Sequence, residues 1–129
     1  MATIILNNIN IESLLKAEKF LREALRDAKS PLEKAGAIQG FELCYELAWK
    51  TLKRVLAYRG IEVASPRETF RQAALEKLIL DIEQWFDFIR KRNLTVHIYN
   101  QAIAEEIFLS LPIFINEFQS LISTLQGLA

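Results

Sequence analysis

The sequence predicts an all-α fold, an antiparallel bundle of five to six helices that dimerises through helix faces. Three observations carry that reading. Apolar residues recur at helical spacing through most of the 129 residues. Segments that start helices recur along the chain, at Ser30, Ser65 and Asp81. Only four glycines and three prolines punctuate the chain, too few for the many turns of a strand-rich fold. The stretch "TIIL" is too short to count as a strand pattern. No repeat, low-complexity segment or linker divides the chain, so residues 1–129 read as a single helical domain with a real core.

The elements follow in order. Residues 1–10 form a short arm in which Asn7, Asn8 and Asn10 bracket Ile9. From Ile11, the residues Leu14, Ala17, Leu21, Leu25 and Ala28 keep helical spacing, and "DAKS" ends that helix. Ser30-Pro31-Leu32-Glu33 then supplies an N-cap, a proline at the first helical position and a glutamate three residues after the cap. The second helix runs to about Arg59, where Gly60 stops it, with Ile38, Phe41, Tyr45, Trp49, Leu52 and Leu56 as its stripe. Ser65-Pro66-Arg67-Glu68 repeats the signature and opens a shorter helix through Phe70 and Ala74. Asp81-Ile82-Glu83-Gln84 is a third start, with Trp85, Phe86 and Ile89 expected to be buried. Ile103, Ile107 and Leu111 continue toward Pro112, which should kink or break the helix. Ile115, Phe118, Ile122 and Leu125 form the last stripe.

Charge and cysteine content narrow the function. Sixteen basic residues balance sixteen acidic ones. A whole face devoted to nucleic acid is therefore not expected, though a local site touching one or two phosphates is compatible. Cys44 is alone, which removes any internal disulfide framework. The start lacks a signal-peptide pattern, and no apolar run approaches the roughly 20 residues of a membrane span. The expectation is a soluble, cytoplasmic protein with no membrane partner.

One stretch stands out for chemistry: "RKRNLTVHIYN", Arg90 to Asn100, which holds the only histidine. Histidine suits proton transfer near neutral pH, and a guanidinium can donate two parallel hydrogen bonds to a phosphate. Arg92, Asn93, His97 and Tyr99 thus make a phosphoester-handling group, with Arg90 in support. The plain alternative is a polar helix junction. At about 100° per residue, a straight helix would put Arg92 and His97 about 140° apart, and His97 and Tyr99 about 160° apart. The chain must therefore bend around Asn93–Thr95, or residues from two chains must converge. RNA cleavage without a metal needs a base for the 2′-hydroxyl and an acid for the leaving oxygen. A symmetric dimer would supply two copies of the single histidine.

Other candidates are weaker. Glu42, Glu46 and Lys50 lie four apart on one helical face and read as a solvated face with an ordinary Glu–Lys pair, or else as the lining of a groove beside the motif. Cys44 sits in an apolar helix without a paired base and reads as core. Trp49 and Trp85 fall mostly on apolar stripes and read as core packing before base stacking. No phosphate loop, zinc spacing or serine elbow is present, so neither a metal nor a cofactor is expected.

The run Arg92-Asn93-Leu94-Thr95-Val96-His97-Ile98-Tyr99 resembles the R-x4-H-x-Y signature of HEPN domains. With "FELCYELAWKTLKRVLAYRG", "SPRETFRQA" and "RNLTVHIYNQAIAEEIF", nearly the whole chain resembles the nucleotidyltransferase substrate-binding branch of that superfamily. The resemblance implies a dimerising helical bundle whose Arg–His motifs face a shared cleft. It implies a metal-independent ribonuclease toxin, with Arg92 and His97 catalytic and Asn93 their polar companion. It also implies a partner, a minimal nucleotidyltransferase antitoxin that transfers AMP to Tyr99. Val96 departs from the pattern, standing where that branch carries a small polar residue. Two other functions fit the same fold: a non-catalytic subunit that binds nucleotide or substrate for the nucleotidyltransferase, and a scaffold for complex assembly.

Overall fold

The computed structural model describes residues 2–129. Five helices carry the fold: α1 (Glu12–Asp27), α2 (Pro31–Tyr58), α3 (Pro66–Leu75), α4 (Ile82–Leu94) and α5 (Gln101–Gln126). The start signals act as read from the sequence. Ser30 Oγ accepts the Glu33 amide at 3.1 Å while the Glu33 carboxylate accepts the Ser30 amide at 2.9 Å, a complete capping box. At α3, Ser65 caps Glu68, but the Glu68 carboxylate reaches the Ala64 amide instead of closing the box. Asp81 caps α4 through the Gln84 amide at 3.2 Å. Gly60, at φ +81°, lets the chain leave α2, with its own amide on the Ala57 carbonyl and that of Ile61 on the Leu56 carbonyl.

α1 and α2 pack as an antiparallel pair: the Cys44 thiol donates to the Ala17 carbonyl, and Gly40 lies under Phe20 and Leu21. A Cβ at Gly40 would stand 3.2 Å from the Phe20 ring, so the missing side chain sets how closely the two helices approach. α5 packs on both, antiparallel to α1 and alongside α2, where Lys34 pairs with Glu105 and Phe41 meets Phe114. Phe114 is fully buried and central. Its ring lies 4.8 Å from Phe41, 4.9 Å from Phe88, 5.7 Å from Phe118 and 5.9 Å from Trp85. This cluster ties α2, α4 and α5 into one core.

Four expectations are corrected or narrowed. Residues 1–10 are not merely an arm: Ile4–Ile5 and Ile9–Asn10 pair as a minimal antiparallel hairpin, labelled β1 and β2. Leu6 and Asn7 turn it with φ of 47° and 72°, and the hairpin presses Ile5 and Ile9 into the core. Pro112 does not break the last helix; α5 runs unbroken from Gln101 to Gln126. Its ring faces solvent, while Ile107, Leu111 and Phe114 bury the opposite side and hold the helix through the lost hydrogen bond. α5 is also long and apolar enough to meet the length and composition of a membrane span. In this fold its Ile107, Leu111, Phe114, Ile115, Phe118 and Leu121 pack into the bundle. Phe86 and Trp49, expected to be core, are half-buried.

Phe114→Ala should cost about 3–5 kcal/mol, the range for emptying a fully buried aromatic site. Urea unfolding should show the midpoint falling while the slope stays close to that of the parent. A loss below about 1 kcal/mol would mean that the cluster does not organise the core.

Candidate functional site

The expected bend exists, displaced by a few residues. α4 continues through Asn93 to Leu94, and a 3-10 turn, Thr95–His97, follows. Two side chains shape it. The buried Thr95 hydroxyl donates to the Arg92 carbonyl at 2.8 Å, competing with the helical ladder just where the helix ends. Asn100 then caps α5, its Oδ1 accepting the Ala102 and Ile103 amides at 2.9 and 3.2 Å. Asn93, which the sequence places in the bend with Thr95, instead stays helical and exposed. The cap that matters is Asn100, an ordinary N-cap residue at the end of the motif.

The turn brings together residues that a straight helix would hold apart. His97 Nδ1 lies 3.0 Å from the Tyr99 hydroxyl, with the rings 5.6 Å apart and nearly perpendicular. Both side chains are exposed, Tyr99 at 81%. Arg92 projects the other way, toward α2. Its Nη1 is 3.9 Å from Glu42 and 3.4 Å from the Thr95 hydroxyl, and its Nε is 3.7 Å from Glu46. Glu46 also accepts from Trp49 Nε1 at 3.1 Å and lies 3.7 Å from Lys50. Glu42 and Glu46 thus adjoin the motif arginine, with Lys50 on the outer edge. Among the described residues, no hydrogen bond or ion pair joins Arg92 to His97 within one chain.

Arg92 is steered without being saturated. Its Nε is buried and has no hydrogen-bond partner, since the Glu46 oxygen stands too far for one. A buried donor left open costs about 1–3 kcal/mol, which a closer acceptor would recover. Tyr45 lies near this group. Burial pushes its phenol up to about 12, with Glu46 adding to the shift and Arg92 and Arg67 opposing it.

Sequence reasoning missed the network that fixes the turn. Lys91 is buried, and its ammonium lies 2.8 Å from Asp87 and 3.9 Å from Glu106. Arg90, expected to support catalysis, pairs with the same two carboxylates at 3.3 and 2.8 Å. The Glu106 hydrogen bond raises the Arg90 pKa despite some desolvation. Burial pushes Asp87 up, but the hydrogen bond and charge of Lys91, with those of Arg90, bring its carboxyl below the ordinary range. The Asp87–Lys91 spacing of four was legible in the sequence. Nothing local pointed to Glu106, which arrives from α5.

Relatives of known fold share this arrangement of helices. Residues 9–127 match the family model described as "Nucleotidyltransferase substrate binding protein like". The chain belongs to the nucleotidyltransferase substrate-binding protein-like family. A relative from Haemophilus influenzae, named "Probable ribonuclease HepT", is 33% identical over 97 residues, 71% of this chain and 66% of that protein. The match therefore spans just under two thirds of that relative's length. A crystal structure of a protein from Thermus thermophilus superposes with a TM-score of 0.82 at 34% identity, covering 87% of this chain and 98% of that one. A second structure, from Haemophilus influenzae and described as revealing the fold of a substrate binding domain of a nucleotidyltransferase, gives a TM-score of 0.81 at 28% identity, over 91% and 99%. The all-helical fold and the family branch expected from the sequence are thus shown.

Two solution measurements test the local chemistry. Cys44 is fully buried, and desolvation pushes its thiol up to about 12, so it should resist a thiol reagent at pH 8 until the protein unfolds. Rapid labelling of the native protein would contradict the packing. Because the folded pKa of Asp87 is lowered, the unfolded chain binds more protons in the acid range, and stability rises with pH there. Its contribution is full above the ordinary aspartate pKa and is lost as pH falls through the lower folded value. Unfolding across pH should show Asp87→Asn less stable than the parent at neutrality, with the gap closing in acid.

Proposed function

We propose that this protein is a HEPN-type ribonuclease toxin that cuts RNA without a metal at a cleft shared by two copies, and that AMP addition to Tyr99 silences it. The observation that carries this reading is the turn at Thr95–Asn100. It exposes a hydrogen-bonded His97–Tyr99 pair while Arg92, three residues before the turn's first step, keeps an unsaturated guanidinium. The relative named as a ribonuclease supports it.

In the reaction, the RNA 2′-oxygen attacks the adjacent phosphorus, its proton passing to a neutral imidazole. The bond from phosphorus to the 5′-oxygen breaks, and an imidazolium protonates that oxygen, leaving a 2′,3′-cyclic phosphate and a free 5′-hydroxyl. One His97 cannot be base and acid in the same turnover, so the second copy's histidine takes the other part. Arg92, drawn from Glu42 and Glu46, donates to the extra negative charge on the five-coordinate phosphate. Glu42 and Glu46 compete with the phosphate for that guanidinium and so hold it ready between turnovers. Lys50 and Asn93 flank the path of the strand.

Tyr99 explains the off-switch. The partner nucleotidyltransferase would join the phenol oxygen to the α-phosphorus of ATP, releasing pyrophosphate. His97 Nδ1, 3.0 Å from that oxygen, is placed to take the phenol proton. The product carries an anionic phosphodiester beside His97, where RNA would otherwise lie. A second reading has specific support in the neighbour described as a substrate binding domain: a non-catalytic subunit that presents nucleotide to the same partner.

Expression of the protein alone should arrest growth and fragment cellular RNA, and His97→Ala should abolish both while keeping the helical circular dichroism. Co-expression with a minimal nucleotidyltransferase partner should add one or more AMP masses to the parent and none to Tyr99→Phe. Intact RNA in the presence of a folded, dimeric parent would leave the binding-subunit reading.

A further inference from the structure

We infer that Arg67 and Arg71 of α3, with the Phe86 ring of α4 beneath them, form a second RNA subsite that holds a backbone phosphate and an unstacked base next to the cleaved bond. The inference rests on the ribonuclease reading and extends it to how the strand is positioned.

The two arginines stand four apart and share one face of α3. Their guanidinium carbons lie 4.6 and 6.0 Å from the centre of the Phe86 ring. Like charges at that spacing repel one another, yet among the described residues neither guanidinium pairs with a carboxylate. That is unusual in this chain: Arg22, Arg26, Arg59, Arg90 and Arg92 each lie against an acid. Arg54 of α2, beside Lys53, is the other exception. The chain is neutral as a whole, so an unneutralised arginine pair is a local feature that a phosphate would complete.

Place matters as much as charge. A groove of about 460 Å³ runs along this side of α4 from Arg67 and Phe86, past Ile89 and Arg90, to Asn93. It therefore ends at the residue next to Arg92. From Phe86 to Asn93 is seven residues, about 10 Å along the helix, within reach of a neighbouring nucleotide. Two acids also line the groove. Asp87 is committed to Lys91 and Arg90, and Glu83 stands at its far end from Asn93 in sequence. Single-stranded RNA is held by this combination of cation and aromatic plane: the guanidinium takes phosphate oxygens, and a splayed base stacks on it or on the ring. Such a site has no sequence preference of its own.

The test uses the full chain in a His97→Ala background, which binds without cutting, and a short single-stranded oligoribonucleotide followed by fluorescence anisotropy at several salt concentrations. Arg67→Ala with Arg71→Ala should weaken binding at least about tenfold at low salt. It should also lower the slope of log affinity against log salt by about 0.7, the value for one single-strand phosphate. Phe86→Leu should weaken binding and leave the slope unchanged. Unchanged affinity and slope in a folded double variant would overturn the subsite while leaving the ribonuclease reading in place. A change of oligomeric mass on replacing the arginines would assign them to a protein interface and overturn it too. If the His97→Ala protein binds no oligonucleotide at all, both readings fall.

Discussion

Phe114 is the residue on which the geometry of the site depends. Its ring is surrounded by aromatics from α2 and α4, and by Phe118 one turn along its own helix. Edge-to-face contacts of this kind prefer particular angles as well as distances, so they fix orientation in a way that aliphatic packing does not. α4 also leans on α3, where the Phe70 and Trp85 rings lie 4.9 Å apart, and its position decides where the chain must turn. The cluster joins that pair of helices to α2 and α5 and so helps to set the direction in which the end of α4 points.

Polar bonds then finish what the core begins. Lys91 and Arg90 share Asp87 and Glu106, joining the end of α4 to the start of α5. Thr95 and Asn100 close the turn between them from either side. These contacts are of different kinds with different costs. The exposed arms of the network contribute little alone, because solvent screens them. The buried ammonium of Lys91 is the exception, since removing its partners would leave a charge without compensation. The motif residues themselves add almost nothing to this framework: His97 and Tyr99 stand outside it, exposed.

Much of the fold was legible in the sequence because its signals are local. Caps at Ser30, Ser65 and Asp81, and the stop at Gly60, depend on neighbours within a few residues, and each forms. The hairpin was not legible, because two-residue strands have no period to detect, and Leu6 takes a left-handed conformation that its residue type does not advertise. At Pro112 the local rule left kink and break both open, and the burial that excludes the break belongs to the whole bundle. For the site, arithmetic on a helix showed that Arg92, His97 and Tyr99 could meet only through a bend or through two chains; the bend brings His97 and Tyr99 within a hydrogen bond and leaves Arg92 apart. The arithmetic could not say that Arg92 would turn to α2 or that Arg90 would be spent on Glu106. Both depend on which helices pack side by side, which spacing within one segment does not encode.

Lys91 carries one more consequence, for motion. Swinging α4 away from α5 would break the 2.8 Å Arg90–Glu106 bond and draw the Lys91 ammonium from Glu106, while Asp87, on α4 itself, would move with it, so the two helices are tied beside the turn. What remains free to move is the pair of exposed rings on the turn, whose rotamers exchange in picoseconds to nanoseconds. Adjustment at the turn then falls to these two exposed side chains.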